Sequence, residues 1–156
     1  MKKKYFLLIC LFVGWSFSFA QKVPQEVKVV LEKYVDILRS SQDIDECAER
    51  FRSIAGGSLI NEDPENVSLR SSVKDFSLAK DYRDIQYYAN PVRIHRVTTE
   101  EVRKIGSGES ALGGTIYKIW IAREDSSTGM PAPVSIILPK NHSVITSPKV
   151  VNIGSF

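Results

Sequence analysis

Apolar residues between positions 23 and 38 recur three and four apart. Val23, Val27, Val30, Leu31, Tyr34, Val35 and Leu38 share one stripe, while Glu26, Lys28, Glu32, Lys33, Asp36 and Arg39 fill the other side. This period predicts a helix from about Pro24 to Ser40, and Pro24 suits the first turn, where its missing N–H costs nothing. After the polar break Ser40-Ser41-Gln42, Asp43 followed three residues later by Glu46 gives a capping-box-like start to a second helix. Ile44, Cys47, Ala48, Phe51 and Ile54 form its stripe, and Gly56-Gly57 ends it. Residues 58–70 read as irregular around Asp63-Pro64-Glu65-Asn66, with at most a weak hairpin. A third helix is predicted from about Ser72 to Ala89, on a mixed stripe of Val73, Phe76, Ala79, Tyr82, Arg83, Gln86 and Ala89, and Asn90-Pro91 stops it.

Beyond Pro91 the period falls from that of a helix to that of a strand. Candidate strands are Val92–Thr99, Thr115–Arg123, Val134–Pro139 and Lys149–Ser155, separated by turn-rich segments at 106–108, 126–129 and 140–143. Tyr117, Ile119 and Ile121 alternate with Lys118 and Trp120, as one buried and one open face require. The spacing predicts an antiparallel meander, and the whole chain reads as α+β.

The first twenty residues change where this domain is expected to work. Lys2-Lys3-Lys4 precede an apolar run from Tyr5 to Phe19, and Ser18-Phe19-Ala20 puts small residues at −3 and −1 of a cut before Gln21. That is the pattern of a secretory signal peptide. The run is short for a membrane span of roughly 20 residues. The expectation is a signal peptide over 1–20, a single domain over 21–156, and export to the periplasm or the medium.

Cleavage also changes the charge. The chain has 21 basic and 18 acidic residues, and the three leader lysines account for the surplus, leaving 18 of each. A nucleic-acid binder needs a basic excess to displace phosphate counterions, so that class is set aside. Cys47 is the only cysteine outside the leader, which excludes an internal disulfide and suggests a buried small hydrophobe. No later apolar run is long enough to cross a bilayer.

Helix, helix, short extended piece, third helix and four successive strands, with Val92-Arg93-Ile94-His95 following the stop at Asn90-Pro91, resembles the nuclear transport factor 2-like (cystatin-like) superfamily. The resemblance implies three N-terminal helices packed on a strongly curved antiparallel sheet, giving a cone. It covers nearly all of residues 22–156. The family hosts isomerases, dehydratases, ligand binders and partner-binding modules, so it sets no reaction. Its enzymes place a carboxylate or histidine inside the cone with a tyrosine opposite, and no such pair aligns here by motif.

Candidate chemistry is correspondingly sparse. His95 lies on a predicted strand, and an imidazole there would suit a general base inside a cone. Val92 and Ile94 on the alternate positions make the core-facing pair, however, which leaves Arg93 and His95 in solvent. His142 falls in a turn, and two distant histidines do not make a metal site. The glycines at 106, 108, 113 and 114 precede a strand rather than a helix and so lack the geometry of a phosphate loop. Tyr34, Tyr88, His95, Tyr117 and Trp120 are the candidate ligand-binding residues, since aromatic walls with few polar groups suit a small apolar molecule. No catalytic set, metal or cofactor is predicted. The sequence points to an exported, non-catalytic module that binds a small apolar molecule or an envelope protein and could form a homodimer. The alternative is an isomerase- or dehydratase-type enzyme with a pocket acid/base residue.

Overall fold

A computed structural model of the chain describes residues 23–61, 67–124 and 133–154. The expected signal peptide, the segment around Asp63–Asn66, the expected 126–129 turn and Ser155 lie outside the described residues.

Helix α1 (Gln25–Ser40) follows Pro24, and its buried side carries Val27, Leu31, Tyr34, Val35, Ile37 and Leu38. Each such side chain contributes about 1.5–3 kcal/mol when fully removed from water. Helix α2 (Ile44–Arg52) is capped by Asp43, whose carboxylate accepts the Glu46 N–H at 2.8 Å. Glu46 in turn accepts the Gln42 N–H at 2.8 Å, one residue before the cap. Cys47, Ala48 and Phe51 turn inward from α2, and the Phe51 ring packs on that of Tyr34 with centroids 5.3 Å apart.

The third helical stretch departs from the predicted pattern. A π-helical stretch, Val73–Leu78, runs into α3 (Ala79–Asp84), and a 3-10 turn at Ile85–Tyr87 closes it. Each π turn takes up an extra residue, so the inward face jumps from Val73 to Leu78 and continues through Asp81, Ile85 and Tyr88. Phe76, expected in the stripe, is therefore 74% exposed. Arg83 and Gln86 are also exposed. The stretch ends before Ala89, and Tyr88 instead forms an isolated bridge with Arg123.

Four strands follow: β1 (Ile94–Ile105), β2 (Leu112–Ile121), β3 (Pro133–Pro139) and β4 (Lys149–Ile153). They form one antiparallel sheet in the order β1-β2-β3-β4. The fold is α+β, with helices on a four-stranded antiparallel meander. β1 starts and ends later than its apolar pattern suggested, because Gly113 and Gly114 carry the ladder past Thr115 to Leu112, opposite Ile105.

The two sheet faces differ. Ile119, Ile121, Val134, Ile136, Val150 and Ile153 join the helices in the main core. Leu112, Ile116, Ile137 and Val151 form a second small cluster on the outer face, with Ile145 from the β3–β4 loop packed against it. His142 fixes that loop: its Nδ1 accepts the N–H groups of Val144 and Ile145, at 3.1 and 2.8 Å, and its Nε2 lies 3.2 Å from the Glu109 carbonyl. Gly56 N–H donates to the Val150 carbonyl and Val150 N–H to that of Ile54, both at 2.8 Å, so the chain after α2 closes the β4 edge. β1 lies at the other end of the sheet, beside β2. No helix among them is long and apolar enough to cross a membrane.

Candidate functional site

The five aromatic and histidine candidates do not converge. Tyr34 is fully buried between helices, and its hydroxyl donates to the Asp81 carboxylate at 2.6 Å. Asp81 is the only carboxylate among the buried polar groups of the described residues. Burial first, and then the adjacent Asp81 charge, hold the Tyr34 hydroxyl well above the ordinary tyrosine range. Tyr88 is also buried, with burial raising its hydroxyl, and the Arg123 guanidinium lies 5.3 Å from its ring centroid. Arg39 donates to the Tyr88 and Ala89 carbonyls at 3.0 and 2.9 Å, tying α1 to the segment that enters the sheet. This region holds a carboxylate beside a tyrosine hydroxyl, but it is packed core. The clefts beside Gly113, beside Leu31 and beside Ile37 are not lined by Tyr34, Tyr88 or Asp81.

His95 sits in solvent at a bulge: Ile94 pairs with Ile121 and Arg96 with Trp120, so His95 is the extra residue without a partner across the ladder. Ile94 is 37% exposed, and Val92 only half-buried, so the expected inward pair at the start of β1 is partly open. Tyr117 is half-buried on the helix side and packs against the main core. Trp120 lies on the opposite face.

That outer face is the most distinctive surface. Arg96 covers the Trp120 ring, its guanidinium carbon 4.8 Å from the centroid. Lys118 pairs with Glu100 at 2.9 Å. The ladder sets Thr98 beside Lys118, and Ser135 lies between Lys118 and Asn152. Ser135 is 2% exposed, and its hydroxyl finds no partner among the described residues. The outer apolar cluster contains no helix residue among the described residues.

A cleft of about 540 Å³ opens at the far end of β1 and β2, lined by Glu101, Arg103, Lys104, Lys140 and His142 over Gly113 and Gly114. Lys140 is held by Glu101 at 2.9 and 3.0 Å. Thr115 also donates to Glu101, at 2.5 Å; this bond, then Lys140, lowers the Glu101 carboxyl below its usual range. The glycines are required by strand contact, since a Cβ at Gly113 would lie 2.5 Å from the Arg103 carbonyl oxygen.

No group of three or more histidine, cysteine or acidic side chains placed to hold a metal occurs among the described residues. Cys47 is buried, and burial pushes its thiol up to about 11, which leaves it protonated and inert at neutral pH. Two residues stand out that the periodic reading passed over. Asp81 falls on the inward face once the π turn is allowed for, since Leu78, Asp81, Ile85 and Tyr88 step by three and four. Arg96, which no motif singles out, is the cap on Trp120. Comparison of the chain with protein-family models, with curated proteins and with solved structures finds no match.

Proposed function

We propose that the chain is an exported binding module without catalysis of its own, engaging a protein partner through the outer face of its sheet around Trp120. The observation that carries this reading is the half-buried Trp120 beneath the Arg96 guanidinium, on a face whose apolar cluster includes no helix residue among the described residues. Tryptophan and arginine are the side chains that most often dominate binding energy at protein interfaces. The Lys118–Glu100 pair beside them supplies the polar surround. Export rests on the basic, apolar and small-residue pattern of positions 1–20. The order of helices followed by a meander supports a nuclear transport factor 2-like cone. The filled region around Tyr34 and Tyr88 favours a partner on the outer face over a small apolar molecule inside the cone.

A second reading, an isomerase- or dehydratase-type enzyme, is favoured by one contact. The Asp81 carboxylate beside the Tyr34 hydroxyl is the acid/base pairing such chemistry uses.

Trp15 and Trp120 are the two tryptophans, so without the leader the indole emission reports Trp120 alone. Titration with envelope proteins of the host is expected to shift that emission. Arg96→Ala and Trp120→Ala, in folded protein, are expected to weaken the same interaction about tenfold or more, the tryptophan variant being read by calorimetry. Binding that ignores both changes overturns the outer-face reading. Turnover of small carbonyl or hydroxy substrates that Asp81→Asn abolishes would establish the enzyme instead.

A further inference from the structure

The cleft at the far end of β1 and β2 carries two positive charges that no side chain answers. We propose that it is a binding site for a phosphate monoester of small-molecule size, held at its phosphate by Arg103 and Lys104. The inference does not depend on the function proposed above.

Consecutive residues of a regular strand point to opposite faces, so a strand does not ordinarily bring two neighbours to one cleft. Here the ladder slips between Val102, opposite Gly114, and Ile105, opposite Leu112, which places one extra residue in β1. A bulge of this kind re-aims side chains, and Arg103 and Lys104 both line the cleft. Both are exposed, and neither side chain makes an ion pair or hydrogen bond among the described residues. Glu101 is the acidic side chain of the lining, and it is already taken by Thr115 and Lys140. Two adjacent cations therefore repel one another without a local carboxylate to offset them.

The rest of the cleft is built to leave room. Gly113 and Gly114 put backbone without side chains beneath the two cations. The wall opposite is the start of the β3–β4 loop, and three contacts fix it. Lys140 N–H donates to the Gly113 carbonyl at 2.8 Å. His142 Nδ1 accepts the Val144 and Ile145 amides, so its ring proton lies on Nε2, which donates to the Glu109 carbonyl at 3.2 Å. Asn141 between them has φ 61, a left-handed conformation that asparagine tolerates better than most residues. Its carboxamide lines the cleft and has no partner among the described residues, so it offers donors and an acceptor to a hydroxylated ligand.

Charge and size choose the ligand. A phosphate monoester carries about −1.5 to −2 near neutral pH and three acceptor oxygens, matching one guanidinium and one ammonium, whereas a single carboxylate leaves a positive charge unanswered. The guanidinium fork suits two phosphate oxygens at once, and the ammonium acts as a point charge beside it. A volume of about 540 Å³ lies within the range of small-molecule sites and exceeds what a bare phosphate fills.

Amide NMR of the isotope-labelled chain, expressed with its own N-terminus and purified as found, reads the site directly. Glycerol phosphate is expected to give saturable shifts at Arg103, Lys104 and Asn141, inorganic phosphate to bind more weakly, and glycerol to leave the spectrum unchanged. Arg103→Gln and Lys104→Gln should each weaken glycerol phosphate binding about tenfold, the loss expected for a hydrogen bond to a charged group. Both positions are exposed, so the variants should keep the wild-type spectrum elsewhere. Arg93→Gln removes the same charge just before β1 and should change binding by less than about twofold, because exposed charges that far from the cleft are screened. Absence of saturable shifts with glycerol phosphate overturns the proposal, as does an equal loss in Arg93→Gln. Inorganic phosphate or succinate binding as tightly as the ester overturns the choice of ligand. Capture by phosphatidic acid vesicles without any response to glycerol phosphate would put the phosphate on a membrane and overturn the small-molecule assignment.

Discussion

Three side chains show how burial sets chemistry at the scale of a residue. The Tyr34 hydroxyl donates to the fully buried Asp81 carboxylate. Tyr34→Phe removes that donor and keeps the ring against Phe51, so the expected loss is about 1.5–3 kcal/mol, the range for hydrogen bonds to charged groups; urea denaturation measures it. Cys47 offers a cleaner test. With its thiol raised to about 11 by burial, it should stay unreactive towards a disulfide reagent at pH 8 and react at once in denaturant. Labelling in the native state would contradict the buried position. The burial of Tyr34 and Cys47 was legible in their helical spacing. The partner of Tyr34 was not, because spacing along one helix carries no information about which residue of another helix it meets.

Elements show where local pattern and tertiary packing agree and where they part. α1 and α2 follow their apolar stripes closely, and the Asp43 cap is where the sequence placed it. The third helical stretch does not follow its stripe, because a π turn lets Val73 and Leu78 reach the same core. Phe76 measures the difference. In an unbroken α-helix it would be core, and truncation would cost about 3–5 kcal/mol; exposed as it is, Phe76→Ala should change stability by no more than about 0.5 kcal/mol in thermal unfolding. On the sheet, Glu101 joins β1 to Thr115 of β2 and to Lys140 beyond β3. Its carboxyl lies lower in the folded state than in the unfolded chain. The folded state therefore binds the proton less readily, and this contribution is present above the ordinary carboxylate range and fades as pH falls through the folded value. Glu101→Gln should lower stability at neutral pH and leave it nearly unchanged in acid below the folded value, so the acid limb of a stability–pH curve flattens.

Over the whole molecule, one contact joins the chain after α2 to the end of β1. Gly106 has φ +86, and a Cβ there would lie 2.8 Å from the Gly57 backbone. Gly106→Ala combines a disfavoured dihedral with a backbone clash, so it should cost about 1–3 kcal/mol in chemical denaturation. A neutral result would mean that the two segments do not meet. The sequence by itself determined the two periods, the α2 cap, the helix stop before the sheet, the four-strand meander and the alternation of Tyr117, Ile119 and Ile121 with Lys118 and Trp120. These follow from short-range sterics and from the need to hide one face of each element. Tertiary structure alone decided the π turn, the burial of Asp81 beside Tyr34, the placing of Arg96 over Trp120 and the closure of one sheet edge. Each of these depends on groups distant along the chain competing for the same volume or the same hydrogen bond, and no local pattern encodes which of them meet.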